Sequence, residues 1–481
     1  LLLVGVVASG FASRLRIPSL LLFLGLGMLV ADDGLSLVRF DDAALAQNIA
    51  TVALVVILFE GGLGTEPDAF RTAGVPAGLL ATLGVVVTAG VVAATTWLLL
   101  DVAATTALLL GSVIASTDAA AVFAALRSEP LPSRTQRLLQ LESGMNDPIA
   151  VLMTIGVVEV WRSDPTVWDW AQFLGAQIGV GVIAGLGVGW FGRWVVTHVS
   201  GPAVSSLGVI TLAIAAISYG IAAIGGGSGF LAVYLTGVVV ASAQRSARGV
   251  LYFHEGLAAT AQAVLFLVLG LLVFPSRLLD NLGAAIVVAL TLLLIARPLA
   301  VVAVLIWSRT PLRRMVVISW AGLRGAVPVV LATIPFTAGH PDGALIFDVT
   351  FVVVVLSVGL QGPTVGMLAR RLRVVAEDRL TVRPEIIPVD AIDADLVEIT
   401  VPNRSRLHMA TLRDSPPPGG SRVAIIRRDH ETIVPDGETR LAVDDVLLVI
   451  APKRCDLGEM ERWSHAAASD RPLDHDATND S

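Results

Sequence analysis

Residues 141–156 read LESGMNDPIAVLMTIG, in which a glutamate, an asparagine and an aspartate fall within six residues and an almost wholly apolar run follows. Ser143 and Asp147 are spaced i, i+4 and share a helix face, and Glu142 and Asn146 form a second such pair beside it. Together they offer oxygens, including two carboxylates, and oxygens are the ligands of hard cations. Burial favours the protonated form of a carboxylate, so such a group can also take a proton. A site that binds either a cation or a proton, never both, is the minimum requirement for exchange. The competing reading is a helix N-terminus, with ESGMNDP capping a span and Pro148 in its first turn.

Three other stretches place polar groups in apolar runs, where a charge costs about 2.5–3.5 kcal/mol on insertion scales and is a functional candidate by default. GSVIASTDAAAVFAAL (111–126) sets Thr117 and Asp118 among small residues. Thr-Asp can interrupt a helix and expose backbone carbonyls, a device of transporter binding sites; the alternative is tight helix packing with Asp118 bonded to a neighbour. ISWAGLRGAVPVVLATIP (318–335) holds Arg324 between Gly322 and Gly325, ahead of Pro328, and also reads as a broken helix. Arg324 needs an anion, with Asp118 or Glu142 available, unless it snorkels to the interface. In ILFEGGLGTEP (57–67), Glu60 is either a second functional acid or an interfacial cap. Arg297 in IARPLA reads as the residue before a proline kink, and Glu255 in FHEGLA as a helix start.

The elements that must carry these residues are membrane spans. The chain of 481 residues is 55% hydrophobic and only 15% charged, with mean hydropathy +0.78; soluble domains are about a quarter charged. Up to about residue 370 it consists of apolar runs near the ~20 residues that cross a bilayer. The predicted spans, about thirteen, are 1–13, 17–31, 45–63, 73–100, 103–125, 135–160, 170–198, 203–223, 226–243, 253–274, 280–307, 313–337 and 343–369. Arginines alternate from joint to joint. One set of joints carries Arg14, Arg16, Arg71, Arg127, Arg134, Arg137, Arg193, Arg245, Arg248, Arg309, Arg313, Arg314, Arg370, Arg371 and Arg373; the other has only Arg39, Arg162 and Arg277. The positive-inside rule then puts the N-terminus outside and the C-terminus in the cytoplasm. The chain starts at Leu1, so its true start is expected upstream, and no removable signal peptide is evident. The lone Cys455 excludes an intrachain disulfide, and at net charge −7 no basic cluster points to nucleic acid.

Beyond Arg373 the composition changes. Residues 374–390 read as a linker and 391–455 as a small cytoplasmic α+β domain, whose strands are expected in DLVEITVP (395–402), SRVAIIRR (421–428), ETIVP (431–435) and DDVLLVIAP (444–452). SPPPGG (415–420) and PDG (435–437) are turns. Residues 464–481 are polar and expected to be disordered.

STDAAAVF, ESGMNDP, FLVLGLLV (266–273) and SWAGLRGAVP, in this order, resemble the bacterial NhaP-type antiporters of the cation:proton antiporter-1 family over residues 1 to about 370. VAIIRRDHETIVPDGETRLAVDDVLLVIAP resembles the RCK-C (TrkA-C) domain, a combination similar to the potassium/proton subgroup. The resemblance implies an all-α polytopic homodimer of thirteen spans in the cell membrane, with inverted repeats and two crossed broken helices. A core bundle of spans four to six and eleven to thirteen would move against a dimerisation bundle. It further implies that Asp147 binds cation and proton alternately, that Ser143, Glu142 and the main chain at Thr117 complete the oxygen shell, that Asn146 braces the broken helix, and that Arg324 balances buried negative charge. Asn-Asp rather than Asp-Asp implies electroneutral exchange. Relatives of the potassium subgroup often carry aspartate where Glu60 stands.

The expected function is therefore K⁺/H⁺ exchange by alternating access, with Na⁺/H⁺ exchange as the alternative. No cofactor is called for, K⁺ or Na⁺ and H⁺ being substrates, and the tail is read as regulatory, with a small nucleotide such as cyclic di-AMP as its ligand by family analogy only. An intramembrane aspartyl protease using Asp118 and Asp147 would need a Gly-x-Gly-Asp motif, and Gly144-Met145-Asn146-Asp147 lacks it. A channel gated by the RCK-type domain would need a carbonyl filter, and no TVGYG-like segment is present.

Overall fold

The computed structural model describes residues 19–375, except 39, 41, 66, 127–130, 164–165, 200–205, 244 and 309, and residues 385–465, except 390–393, 402–404, 406, 429–430 and 453–456. The expected span 1–13 and nearly all of the polar C-terminal stretch lie outside the described residues. Two compact units result, Leu1–Ala376 and Glu377–Ser481.

The first unit is helical because its apolar runs can satisfy their backbone groups in lipid only within the segment. Among the described residues, seven helices are long and apolar enough to cross a bilayer, and four apolar helices are shorter. In chain order they begin with α1 (Ser19–Val30) and α2 (Ala43–Leu63), the latter capped by Asp42, which accepts from Leu45 N at 2.9 Å. α3 (Pro67–Leu79) runs through a π turn, Leu80–Gly84, into α4 (Val85–Leu99). α5 (Ala104–Val113) and α6 (Ala119–Ala125) are the halves of a broken helix, followed by the long α7 (Ser133–Ser163). α8 (Val167–His198) opens on a reciprocal Thr166–Asp169 capping box. α9 (Leu207–Ile224), α10 (Gly229–Ala241), α11 (Arg245–Leu271) and the short α12 (Pro275–Asp280) follow. α13 (Leu282–Thr291) passes through a second π turn, Leu292–Ala296, into α14 (Arg297–Leu305). α15 (Leu312–Trp320) and α16 (Ala326–Thr337) are again halves of a broken helix. α17 (Gly343–Leu356) runs through a third π turn, Ser357–Gln361, into α18 (Gly362–Arg371).

The same irregularities thus recur in the same order. A helix with a π turn precedes a broken helix, and a third helix then carries an interruption, Pro148 inside α7 or the π turn between α17 and α18. The π turn Leu80–Gly84 packs against α14, and Leu292–Ala296 packs against α4. This reciprocity is what two halves related by a two-fold axis produce. The other helices, α1, α2 and α8–α11, pack chiefly among themselves.

The second unit is a five-stranded antiparallel sheet of order β1-β2-β5-β3-β4, built from β1 (Glu385–Val389), β2 (Ala394–Thr400), β3 (Arg422–Arg428), β4 (Glu431–Ile433) and β5 (Val446–Pro452). Val397, Ile399, Ile426, Leu447 and Val449 form its core, onto which Met460 and Trp463 of α19 (Leu457–His465) pack. The four expected strands lie where their β-branched runs stand. Strand β1 falls in the stretch read as a linker, and α19 begins beyond residue 455: paired with β2 from Glu385↔Glu398 to Val389↔Ala394, β1 has a ladder partner that its short sequence does not announce.

Candidate cation site at two crossed helix breaks

The two breaks touch. Asp118 N–H donates to the Leu323 carbonyl at 2.8 Å, and Arg324 Nη1 donates to the Ser116 carbonyl at the same distance. Backbone groups released by each interruption are therefore satisfied by the other, as buried peptide groups must be. Gly325 is required here, since a Cβ would collide with the Asp118 carboxylate. That carboxylate caps α6, accepting from Ala121 N at 3.1 Å.

Helix α7 supplies the floor. Glu142, Ser143, Asn146 and Asp147 lie well inside it, beyond two turns from Ser133, and Pro148 is interior. The competing capping reading of ESGMNDP is thereby overturned: Arg134 to Leu141 continue the helix upstream of it. Ser143 Oγ donates to the Thr117 carbonyl at 2.8 Å and accepts from Ala119 N at 3.1 Å, bridging the first break. Asn146 Nδ2 donates to Thr117 Oγ1 at 2.6 Å. Asp147 is 7% exposed and Asn146 0%. Asp147 Oδ1 and Asn146 Oδ1 have no hydrogen-bond partner, and the Ser116 hydroxyl lies beside the Asp147 carboxylate. Two buried oxygens on successive residues of one helix, close to a broken-helix hydroxyl, form a donor set of the kind that hard monovalent cations take.

The arginines are arranged differently from expectation. Glu142 does not pair with Arg324. It is held by Arg297, Nη1 to Oε1 and Nη2 to Oε2, the latter at 2.9 Å, in a fully buried fork-to-fork pair. Arg297 is 3% exposed, far from a mere marker of the kink before Pro298. Gly322 leaves room for it, because a Cβ there would meet its Nε. The signal was available: a mid-span arginine needs an anion, and the reasoning applied to Arg324 holds equally for Arg297. Arg324 is 1% exposed, which excludes snorkelling; its direct partner is the Ser116 carbonyl, with Glu142 and Asp147 within electrostatic reach. Glu60, near the C-terminal end of α2, is brought within electrostatic reach of Asp118 and Glu255 but not into the oxygen cluster.

Two residues escaped sequence reasoning. Ser357 Oγ accepts from Arg324 N at 3.0 Å and donates to Gln361 Oε1 at 2.6 Å, while Gln361 Nε2 donates to the Trp320 carbonyl at 2.9 Å. The third π turn thus ties both ends of the second break. The amide orientation follows from its partner, since only Nε2 can donate to a carbonyl. SVGLQG sits in an apolar run without any local sign of this task.

Discontinuous helices meeting at a buried polar pair within a helical repeat are the architecture of secondary transporters. The chain belongs to the sodium/hydrogen exchanger family, whose transmembrane domain matches residues 1–371; a TrkA-C domain matches 396–454. The K(+)/H(+) antiporter NhaP of Alkalimonas amylolytica is 37% identical, over 98% of this chain and 83% of its own. The K(+)/H(+) antiporter NhaP2 of Shewanella baltica is 34% identical over 94% of this chain and 79% of its own. Among solved structures, the sodium proton antiporter MjNhaP1 of Methanocaldococcus jannaschii superposes with a TM-score of 0.68 at 22% identity, covering 77% of this chain and 96% of that one, and shares the fold.

Proposed function

We propose that this protein is a secondary active cation:proton antiporter that exchanges K⁺ for H⁺ by alternating access across the cell membrane, electroneutrally. The observation that carries the reading is the state of Asp147: buried at the crossing of two helix breaks, with one carboxylate oxygen unpartnered, while Glu142 is committed to Arg297 and Asp118 caps α6. A carboxylate so placed takes a cation or a proton but not both, because one negative charge is neutralised by either. Asn146 Oδ1, the Thr117 main chain and Ser143 surround the cation, Arg324 offsets negative charge at the crossing, and Glu142 acts through its ion pair as a brace. The K⁺ preference follows the names of the relatives and their shared tail. The arginine-rich joints support a cytoplasmic C-terminus, and the family resemblance supports a homodimer. The TrkA-C domain is a regulatory module, with a small nucleotide as the class of ligand.

The test is proton movement in proteoliposomes under an imposed pH gradient. K⁺ should dissipate the gradient with wild type and fail to do so with Asp147→Asn. Dissipation by Na⁺ alone would keep the mechanism and reverse the ion; undiminished exchange in Asp147→Asn would remove Asp147 from the role.

A further inference from the structure

We propose that the cleft where α3, α7 and the turn between α14 and α15 converge binds the phosphate group of an anionic membrane lipid. This narrow cleft, open on one side, is lined by Arg134 and Thr135 of α7, Arg314 of α15, and Ser308 and Thr310 of the intervening turn. The two guanidinium groups come from different helices, and among the described residues neither has an ion-pair or hydrogen-bond partner. Thr135 is 1% exposed, and its hydroxyl is also without a partner. Unpartnered side-chain donors therefore converge on one small space from two helices, at the positive end of the 31-residue helix α7, while the turn hydroxyls of Ser308 and Thr310 bond to each other and Ser308 to the Leu305 carbonyl. Arginine forks and hydroxyls match phosphate oxygens, and basic pockets between membrane helices hold lipid headgroups.

The surroundings select a lipid over a soluble phosphate. Ser308 belongs to the short turn Ile306–Ser308, on which Trp307 is 87% exposed. Exposed tryptophans at helix ends lie at headgroup depth, so the cleft lies there too. Beside it α3 presents exposed Val75 and Leu79, and α15 presents exposed Leu312, surfaces suited to acyl chains. Pro76, Leu138 and Ile318 make the inner wall apolar, as the glycerol region of a lipid requires. Bound there, a phosphodiester links α7, which carries Asn146 and Asp147, to α15, which leads into the second break.

The experiment uses the full-length protein in zwitterionic micelles and follows its thermal unfolding. Dioleoyl phosphatidylglycerol, dioleoyl phosphatidylcholine or millimolar inorganic phosphate is added to wild type, Arg134→Gln, Arg314→Gln, Thr135→Val and Arg193→Gln, the last removing a charge from α8 outside the cleft. Phosphatidylglycerol should raise the midpoint of wild type and Arg193→Gln, and the rise should be at least halved in the two cleft arginine variants. Thr135→Val, nearly isosteric, supplies the reading should an arginine variant not fold, and should also show a reduced rise. An equal rise in every variant would overturn the site. An equal rise with inorganic phosphate alone would overturn the lipid as its source.

Discussion

Arg297 and Glu142, 155 positions apart, form a buried two-pronged ion pair that fixes α14 against α7 beside the crossing of the two helix breaks. Removing one partner strands a charge away from water, a loss of about 3–5 kcal/mol. We expect Glu142→Ala and Arg297→Ala each to destabilise the protein on that scale, and the double variant by clearly less than their sum. Denaturant unfolding in micelles over the full double-mutant cycle checks this. A Glu142→Ala protein of normal stability but weakened cation affinity would instead make Glu142 a direct ligand.

The contact between Gly325 and Asp118 yields a second expectation. A methyl group at position 325 meets the carboxylate that caps α6, so the crossing must shift. Gly325→Ala should lower exchange at least tenfold, whereas Gly283→Ala, which opens onto free space on α13, should leave it unchanged. Rates in proteoliposomes, normalised to inserted protein, decide it.

Gln361 should act as a positioning residue. Gln361→Leu removes the bonds to Trp320 and Ser357 together, and unsatisfied buried groups cost about 1–3 kcal/mol each. The loosened break should raise the half-saturating cation concentration several-fold, more than it lowers the maximal rate. Ser357→Thr, which keeps the hydroxyl, should largely preserve the wild-type value, and Ser357→Ala should not. Equal cation affinity in all of them would reduce the chain of bonds to packing.

The sheet domain carries a pH dependence of definite sign. Burial alone would raise the Asp445 carboxyl, but two bonds from Arg428, each 2.7 Å, and one from Ala442 N outweigh it and hold it below the usual aspartate value. A depressed native value stabilises the fold fully above the unfolded pKa of about 3.9 and loses that contribution as pH falls through the native value. Asp445→Asn should therefore weaken amide protection of β5 in the full chain at neutral pH. The gap to wild type should narrow as the pH drops below about 4. A gap that is constant with pH would remove the charge from the explanation.

Much of this protein was legible in its sequence. Apolar runs bounded by arginines announce membrane helices because lipid offers backbone groups no partner. Thr117–Asp118 and Gly322–Arg324–Gly325 mark the breaks because charge and glycine in mid-span are costly, although helix packing for Asp118 and snorkelling for Arg324 compete as readings at the level of sequence. Asn146 and Asp147 stood out for the same reason. The β-branched runs of the tail marked four strands, but β1 needed its neighbour to become one. What only the tertiary structure decided is which charge meets which. The sequence places Arg297, Arg324, Glu60, Asp118, Glu142 and Asp147 in or beside apolar runs, yet pairing depends on distances between helices far apart in the chain. That geometry assigned Glu142 to Arg297, gave Arg324 a carbonyl, enlisted Ser357 and Gln361, and left Asp147 as the acid with an unpartnered oxygen at the crossing.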